Sequence, residues 1–256
     1  MIDIRYIRTS TLLIRWGERY ILTDPWFAMQ MRGLPVFVRP CVSPKKLPPL
    51  HLVLVSHLHP DHFDRSAMRR LSQPCGTLVG PPGLQKAAAG AKCDEMVELM
   101  NMQTYESDGF KVTAFVVEHS GYENGYVVEH EGESIVFAGD AKYTGVFSQI
   151  GKMVRPNVAI LPVGGTEIIG RRIVMNPADA LRAGLDLGAK TIVPSHTGGE
   201  WMSVPPLSRH PGRAEHLIYE AENTPGAPTI AALQPGESAR ILPSGKVARI
   251  DWNEEG

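Results

Sequence analysis

Apolar residues in this chain mostly alternate with polar ones or run in short blocks, and helical spacing is confined to a few segments. Ile2 to Ile7, Thr11 to Arg15 and Tyr20 to Thr23 read as short strands, with Trp16-Gly17-Glu18-Arg19 carrying the turn between the last two. Further strands are expected at Leu52 to Ser56, Thr77 to Val79, Phe110 to Val117, Gly125 to Glu129, Ser134 to Ala138, Val158 to Leu161, Thr191 to Val193, Ser238 to Leu242 and Val247 to Ile250. The clearest helix is Pro177 to Leu187, where Asn176 suits the cap, Pro177 the first helical position and Gly188 the position past the end. Other helices are expected at Asp64 to Leu71, with Asp64 as cap, at Leu84 to Ala89, at Thr144 to Val154 and at Arg213 to Glu222. Strand-rich halves with helices between them predict two packed sheets with helices outside, in one domain spanning residues 1–256.

Between Trp26 and Leu50 the pattern dissolves into prolines, which predicts a long loop. Its Trp26, Phe27, Met29, Met31 and Phe37 are too many for a solvated linker, so the loop is expected to line and gate a pocket mouth.

Composition adds mainly exclusions. The chain has 256 residues, 26 basic and 27 acidic, for a formal charge of -1, so no global field draws it to nucleic acid. Charges at Asp3, Arg5 and Arg8 interrupt any signal-like apolar run, and no later run is long enough to span a bilayer, so a cytoplasmic protein without membrane insertion is expected. Cys41, Cys75 and Cys93 form no CxxC pair, which argues against a disulfide framework or a thiolate metal site.

The chemistry concentrates at Ser56-His57-Leu58-His59-Pro60-Asp61-His62, directly after an apolar strand. Imidazole nitrogen and carboxylate oxygen suit zinc and other first-row divalent ions. Pro60 and the two-residue spacing of His57 and His59 argue against a helical His pair and favour an irregular loop that turns the side chains toward one point. The same device recurs three times: apolar runs lead into His119, Asp140 and His196. Asp24, after Ile21-Leu22-Thr23, is a candidate to orient a ligating imidazole. Tyr143 reads as a packed aromatic, Glu167 as a solvated loop carboxylate, and His51, His130, His210 and His216 as surface or supporting histidines.

The order HxHxDH, a later His, an Asp after an apolar run and Gly, and a last His after a strand resembles the metallo-β-lactamase superfamily. The likeness extends from Thr23-Asp24-Pro25-Trp26 through Gly139-Asp140 and Met175-Asn176-Pro177 to Ser195-His196. Ser56 to Asp64 and Gly125-Tyr126-Val127-Val128-Glu129 are most similar to its ascorbate-6-phosphate lactonase-like branch, although Gly198 and Gly199 stand where that branch has an aromatic residue nearby. The resemblance implies an α/β (α+β) fold, an αββα four-layer sandwich of two mixed β-sheets with helices on the outer faces. It also implies one divalent ion on His57, His59 and His119, a second on Asp61, His62 and His196, and Asp140 bridging both.

Zinc is the expected metal, with manganese or iron open. The expected activity is hydrolysis of an ester, lactone, amide or phosphodiester bond in a small molecule by a metal-bridging hydroxide, with Asp61 and His196 as the catalytic residues. Two alternatives on the same scaffold are a di-iron redox protein, which would resemble this motif with a carboxylate in place of His59, and a nuclease or RNA-processing enzyme, which the near-neutral charge disfavours. A homo-oligomer is compatible with the sequence.

Overall fold

The computed structural model describes residues 1–31, 34–197 and 203–252. Two mixed sheets face each other. The first runs, edge to edge, Val247–Ile250, Ser238–Ile241, Ile2–Arg8, Thr11–Trp16, Arg19–Thr23, Leu52–Leu54, Cys75–Gly80 and Cys93–Glu98. The second runs Thr229–Ile230, Thr191–Ser195, Val158–Pro162, Glu133–Phe137, Glu123–His130, Phe110–Val117 and Thr104–Ser107. Alternation along each strand divides its side chains between two cores. Ile2, Ile4, Tyr6, Leu12 and Ile14 meet Phe110, Val112, Tyr126, Val128 and Phe137 between the sheets. Full burial of a side chain of this size is worth about 1.5–3 kcal/mol.

The outer faces are covered by helices. Against the first sheet lie α1 (Arg65–Arg69) and α2 (Leu84–Ala87), through Ala67, Met68 and Leu84. Against the second lie α3 (Val146–Met153), α4 (Pro177–Leu187) and α5 (Ala214–Glu222), through Phe147, Ile150, Ala180, Leu187 and Leu217. The expected four-layer αββα arrangement is therefore present. The local signals act as expected: the Asn176 side chain accepts from the Asp179 N–H, Gly188 closes α4 in the left-handed region, and Asp64 accepts from the Ala67 N–H. No helix among the described residues is long and apolar enough to cross a membrane.

Among the strands that the sequence pattern does not mark are Cys93–Glu98 and Thr104–Ser107. Each is a sheet edge; Cys93–Glu98 has no regular burial alternation and Thr104–Ser107 alternates exposed and half-buried positions over only four residues, so pairing with a neighbour makes them strands.

The expectation for Trp26 to Leu50 is corrected. Trp26 is fully buried with the Arg8 guanidinium 3.7 Å from its ring centre, and Phe27 packs in the outer core with Leu47 and Leu50. Buried Arg8 also donates to the carbonyls of Trp26, Ala28 and Val38 at 2.9–3.1 Å, tying the segment down. Of the five apolar side chains expected at the pocket mouth, only Met31 lines the candidate cleft. Irregular apolar spacing marks a segment that must be covered but does not say whether core or ligand covers it.

Candidate metal centre

Strand direction brings the ligand-type residues to one edge. Arg19–Thr23, Leu52–Leu54 and Cys75–Gly80 are mutually parallel, and Asp24 and His57 follow the first two. In the second sheet Glu133–Phe137, Val158–Pro162 and Thr191–Ser195 are parallel, and Phe110–Val117 shares their direction because Glu123–His130 lies antiparallel between it and Glu133–Phe137. His119, Asp140 and His196 therefore emerge at one end. Direct bonds join the two sheets there: Asn124 N–H donates to the Ser56 carbonyl at 3.0 Å, Tyr126 Oη to the Val55 carbonyl at 2.7 Å, and His196 N–H to the Thr9 carbonyl at 2.9 Å.

All seven expected residues converge. His57, His59 and His119 form one cluster, His57, His62 and Asp140 a second, and Asp61, His62 and His196 a third; within each the ligand atoms lie within 4.8 Å of one another. Asp140 Oδ1 is 3.3 Å from His62 Nε2, and Asp140 Oδ2 is 3.3 Å from His196 Nε2. These residues fit a bound cation: His62 Nε2 and Asp140 Oδ1 are buried without a hydrogen bond among the described residues, a costly arrangement that a cation within reach of both atoms would relieve.

The supporting contacts set which nitrogen of each ring faces inward. Asp24 accepts through Oδ1 from the Ser56 N–H at 2.7 Å and through Oδ2 from the Ser56 hydroxyl at 2.8 Å. With its proton given to Asp24, the Ser56 oxygen accepts from His57 Nδ1 at 3.0 Å, leaving the His57 Nε2 lone pair toward the centre, 2.8 Å from His59 Nδ1. Asp24 Oδ2 likewise lies 2.5 Å from His62 Nδ1, and the Ile173 carbonyl lies 3.1 Å from His119 Nδ1. Carbonyl and carboxylate partners of this kind fix the tautomer of ligating histidines. Asp24 thus takes the supporting position expected of it.

Electrostatics keep two of the rings in the neutral form that ligation needs. Burial, with the His62 imidazole nearby, pushes His57 down to about 3, and burial with His57 pushes His59 down to about 4, so both rings are held neutral. For His62, burial opposes charge, but Asp140 and Asp24 outweigh it and hold the ring well above its ordinary value. That imidazole sits where positive charge is stabilised. The backbone is strained at two of these positions, with φ of +34° at Asp24 and +47° at His196, each costing on the order of 1–3 kcal/mol.

Sequence reasoning missed Glu123. It is fully buried, its Oε1 accepts from the Asp140 N–H at 2.6 Å and lies 3.2 Å from His57 Nδ1, and its Oε2 is 3.8 Å from His119 Nδ1. Burial and the Asp140 charge raise its carboxyl to about 7. The residue opens a strand with no ligand-like spacing around it, so only the fold reveals it. Gly139 makes room for it: a Cβ there would overlap Glu123 Oε1 and stand 2.6 Å from Ser56 Cβ.

Two of the four histidines expected at the surface or in support, His210 and His130, are buried. His210 is buried, lines the cleft and is 3.1 Å from the Thr166 hydroxyl, while His130 is buried against Trp16 and Phe110 with Nδ1 2.8 Å from the Gly109 carbonyl. His51 receives the Tyr20 N–H, and His216 is exposed on α5. Tyr143 is a packed aromatic as expected, stacked on Phe147 and bonded to Asp186. The centre opens into a cleft of about 550 Å³ whose floor includes His59, Asp61 and His196. Gly198 and Gly199, where the expected aromatic is missing, lie outside the described residues.

Comparison with known proteins places this architecture. A metal-dependent hydrolase of Korarchaeum cryptofilum is 28% identical over 247 residues, covering 94% of this chain and all of that protein. The structure of Igni18, a metallo hydrolase from Ignicoccus hospitalis, superposes with a TM-score of 0.73 at 20% identity, covering 93% of this chain and 97% of that one. CmlA, a diiron β-hydroxylase from Streptomyces venezuelae, shares the fold at a TM-score of 0.69 and 14% identity, covering 97% of this chain and 54% of that one. The family model described as the beta-lactamase superfamily domain matches residues 19–197. With that match across the ligand-bearing strands and the four-layer fold around them, the chain belongs to the metallo-β-lactamase superfamily.

Proposed function

We propose that this chain is a single-domain hydrolase that uses two divalent metal ions to cleave an ester, lactone, amide or phosphodiester bond in a small molecule. His57, His59 and His119 would hold one ion, Asp61, His62 and His196 the other, with Asp140 between them. The observation that carries this reading is the pair of contacts made by Asp140, one carboxylate oxygen toward His62 and the other toward His196, in the cluster that shares His57 and His62 with the other two. Zinc suits the imidazoles, and the two carboxylates admit manganese or iron. The resemblance to the lactonase-like branch is the reason to include lactones.

Bound ions would polarise the oxygen of the scissile bond and lower the pKa of a water toward about 7. The remaining work falls to the chain. Asp61 is partly exposed at the cleft floor, where its carboxylate can accept a hydrogen bond from the attacking water and orient it. His196, on its strained turn, presents Nε2 to Asp140 and lines the same floor. Ser56, Asp24, Glu123 and the Ile173 carbonyl hold the rings in register, so little reorganisation is needed when charge develops. His210, kept neutral by burial that brings it down to about 4, is placed to contact a substrate oxygen from the cleft wall.

Elemental analysis and a hydrolysis screen over the four bond classes, with protein loaded with zinc or manganese, test this reading. Close to two ions per chain and turnover in one class are expected. Protein that takes up no stoichiometric metal would sink it. An iron-dependent charge-transfer spectrum without hydrolysis would instead favour the di-iron redox alternative.

A further inference from the structure

Above the centre, one wall of the cleft is a small antiparallel sheet of Glu167–Ile168, Arg171–Arg172 and Ser208–Arg209. The first two strands form a tight hairpin whose tip, Ile169 and Gly170, has φ of +48° and +73°. Two left-handed residues in succession are what such a two-residue turn requires. The hairpin is tied to the centre, because Ile173 N–H donates to the Thr166 carbonyl at 2.8 Å while the Ile173 carbonyl faces His119 Nδ1. The segment that orients a candidate ligand therefore also sets the cleft wall.

Three cationic side chains line this cleft, and two have partners. Lys142 is paired with Glu118, and Arg172 lies 3.5 Å from Asp179. The cross-strand register sharpens the contrast: Glu167 stands opposite both Arg172 and Arg209, whereas Arg171 stands opposite Ile168. Arg171 is exposed and makes no ion pair or hydrogen bond among the described residues. The same cleft is lined by the apolar side chains of Ile168, Ile173 and Met31. A guanidinium at the rim of a concave site offers a fixed fork of donors to a planar or tetrahedral oxyanion, and the cavity focuses its field.

We infer that Arg171 is a specificity-determining residue that binds an anionic group, a carboxylate or a phosphate, carried by the substrate at the end away from the scissile bond. A short apolar stretch of the substrate passes over Ile168 and Ile173 between the two. The inference rests on the hydrolase reading for the word substrate, and a binding measurement separates the two.

Metal-loaded protein is titrated calorimetrically with ligands of matched length: butyrate against succinate, hexanoate against adipate, and butyrate against phosphonopropionate. Within each pair both ligands offer one carboxylate to the centre, and only the second carries a further anion. At least one doubly anionic ligand should bind about tenfold more tightly than its partner. Arg171→Gln should bring that ratio close to one without changing monocarboxylate affinity, and Arg171→Lys should keep part of it. Whether succinate or phosphonopropionate shows the larger loss identifies the anion.

The same ratio is then read in kcat/KM for p-nitrophenyl butyrate and mono-p-nitrophenyl succinate. An unchanged ratio in Arg171→Gln, or an equal loss in Arg172→Gln, would overturn the inference. Arg171-dependent binding with no turnover of any substrate class would instead overturn the hydrolase reading and leave the anion subsite standing.

Discussion

Asp24 Oδ2 lies 2.5 Å from His62 Nδ1, with both side chains fully buried and 38 positions apart in the chain. The same carboxylate holds Ser56, and through it His57, so one residue at the end of Arg19–Thr23 orients two rings that between them belong to all three ligand clusters. Asp24→Ala should therefore weaken metal binding about 10–100-fold, the usual cost of losing such a partner. Competition against a chromophoric chelator measures it. An affinity equal to the parent would show that Asp24 serves only the fold.

Asp61 is assigned both to the second ion and to the attacking water. Asp61→Asn keeps its shape and removes its charge, so metal content should fall toward one ion per chain and kcat by orders of magnitude. His57, His59, His119 and Asp140 are untouched, and the melting temperature should drop only modestly. His216→Ala, exposed on α5, is the control. Two retained ions with near-full turnover would mean the centre has been misassigned.

Gly139→Ala tests the packing behind the ligands. Its Cβ would meet Glu123 Oε1 and Ser56 Cβ at a φ of +57°, whereas Gly132→Ala, at +76°, meets nothing within 4 Å. Both variants suffer backbone strain, but only the first also suffers overpacking, worth about 1–3 kcal/mol or about 2–4 °C of Tm per kcal/mol in a chain of this size. Gly139→Ala should melt lower than Gly132→Ala and lose metal, as atomic absorption would show. Equal melting temperatures and full metal content would refute the close approach.

Acid sensitivity is predicted at Asp3, far from the centre. Asp3 stands in register between Arg15 and Arg240 on the flanking strands and lies 2.6 Å and 2.8 Å from their guanidinium nitrogens. Burial would raise its carboxyl, but the hydrogen bonds and charges of Arg240 and Arg15 lower it overall. A lowered folded-state pKa means the ion pair contributes fully above the unfolded value of about 3.9 and is lost as pH falls through the folded value. Asp3→Asn should therefore melt below the parent by a constant margin from neutral pH down to about 5, and the margin should shrink below about 4. Parallel melting curves at every pH, with a margin unchanged in acid, would contradict this.

How much of this was written in the chain follows from where the information lies. Local chemistry dictates α4, because Asn176, Pro177 and Gly188 act within their own few residues. Inter-sheet strands such as Phe110–Val117 are equally legible, since their periodicity mirrors a buried face. The HxHxDH segment, His119, Asp140 and His196 could be picked out because each ligand-type residue terminates an apolar run, and parallel strands bring such ends together.

What the tertiary structure alone decided is everything that depends on a partner distant in sequence. Cys93–Glu98 is a strand only because Cys75–Gly80 pairs with it. Phe27 joins the outer core with Leu47 and Leu50 and does not line the cleft, and Glu123 belongs to the centre because Gly139 leaves room for its carboxylate. Arg171 is unpaired among the described residues because register sets Glu167 opposite its neighbours instead. Residue type and spacing encode which groups can bind a cation; which groups touch is settled by strand order and packing, since those contacts exist only once segments far apart in the chain have closed against one another.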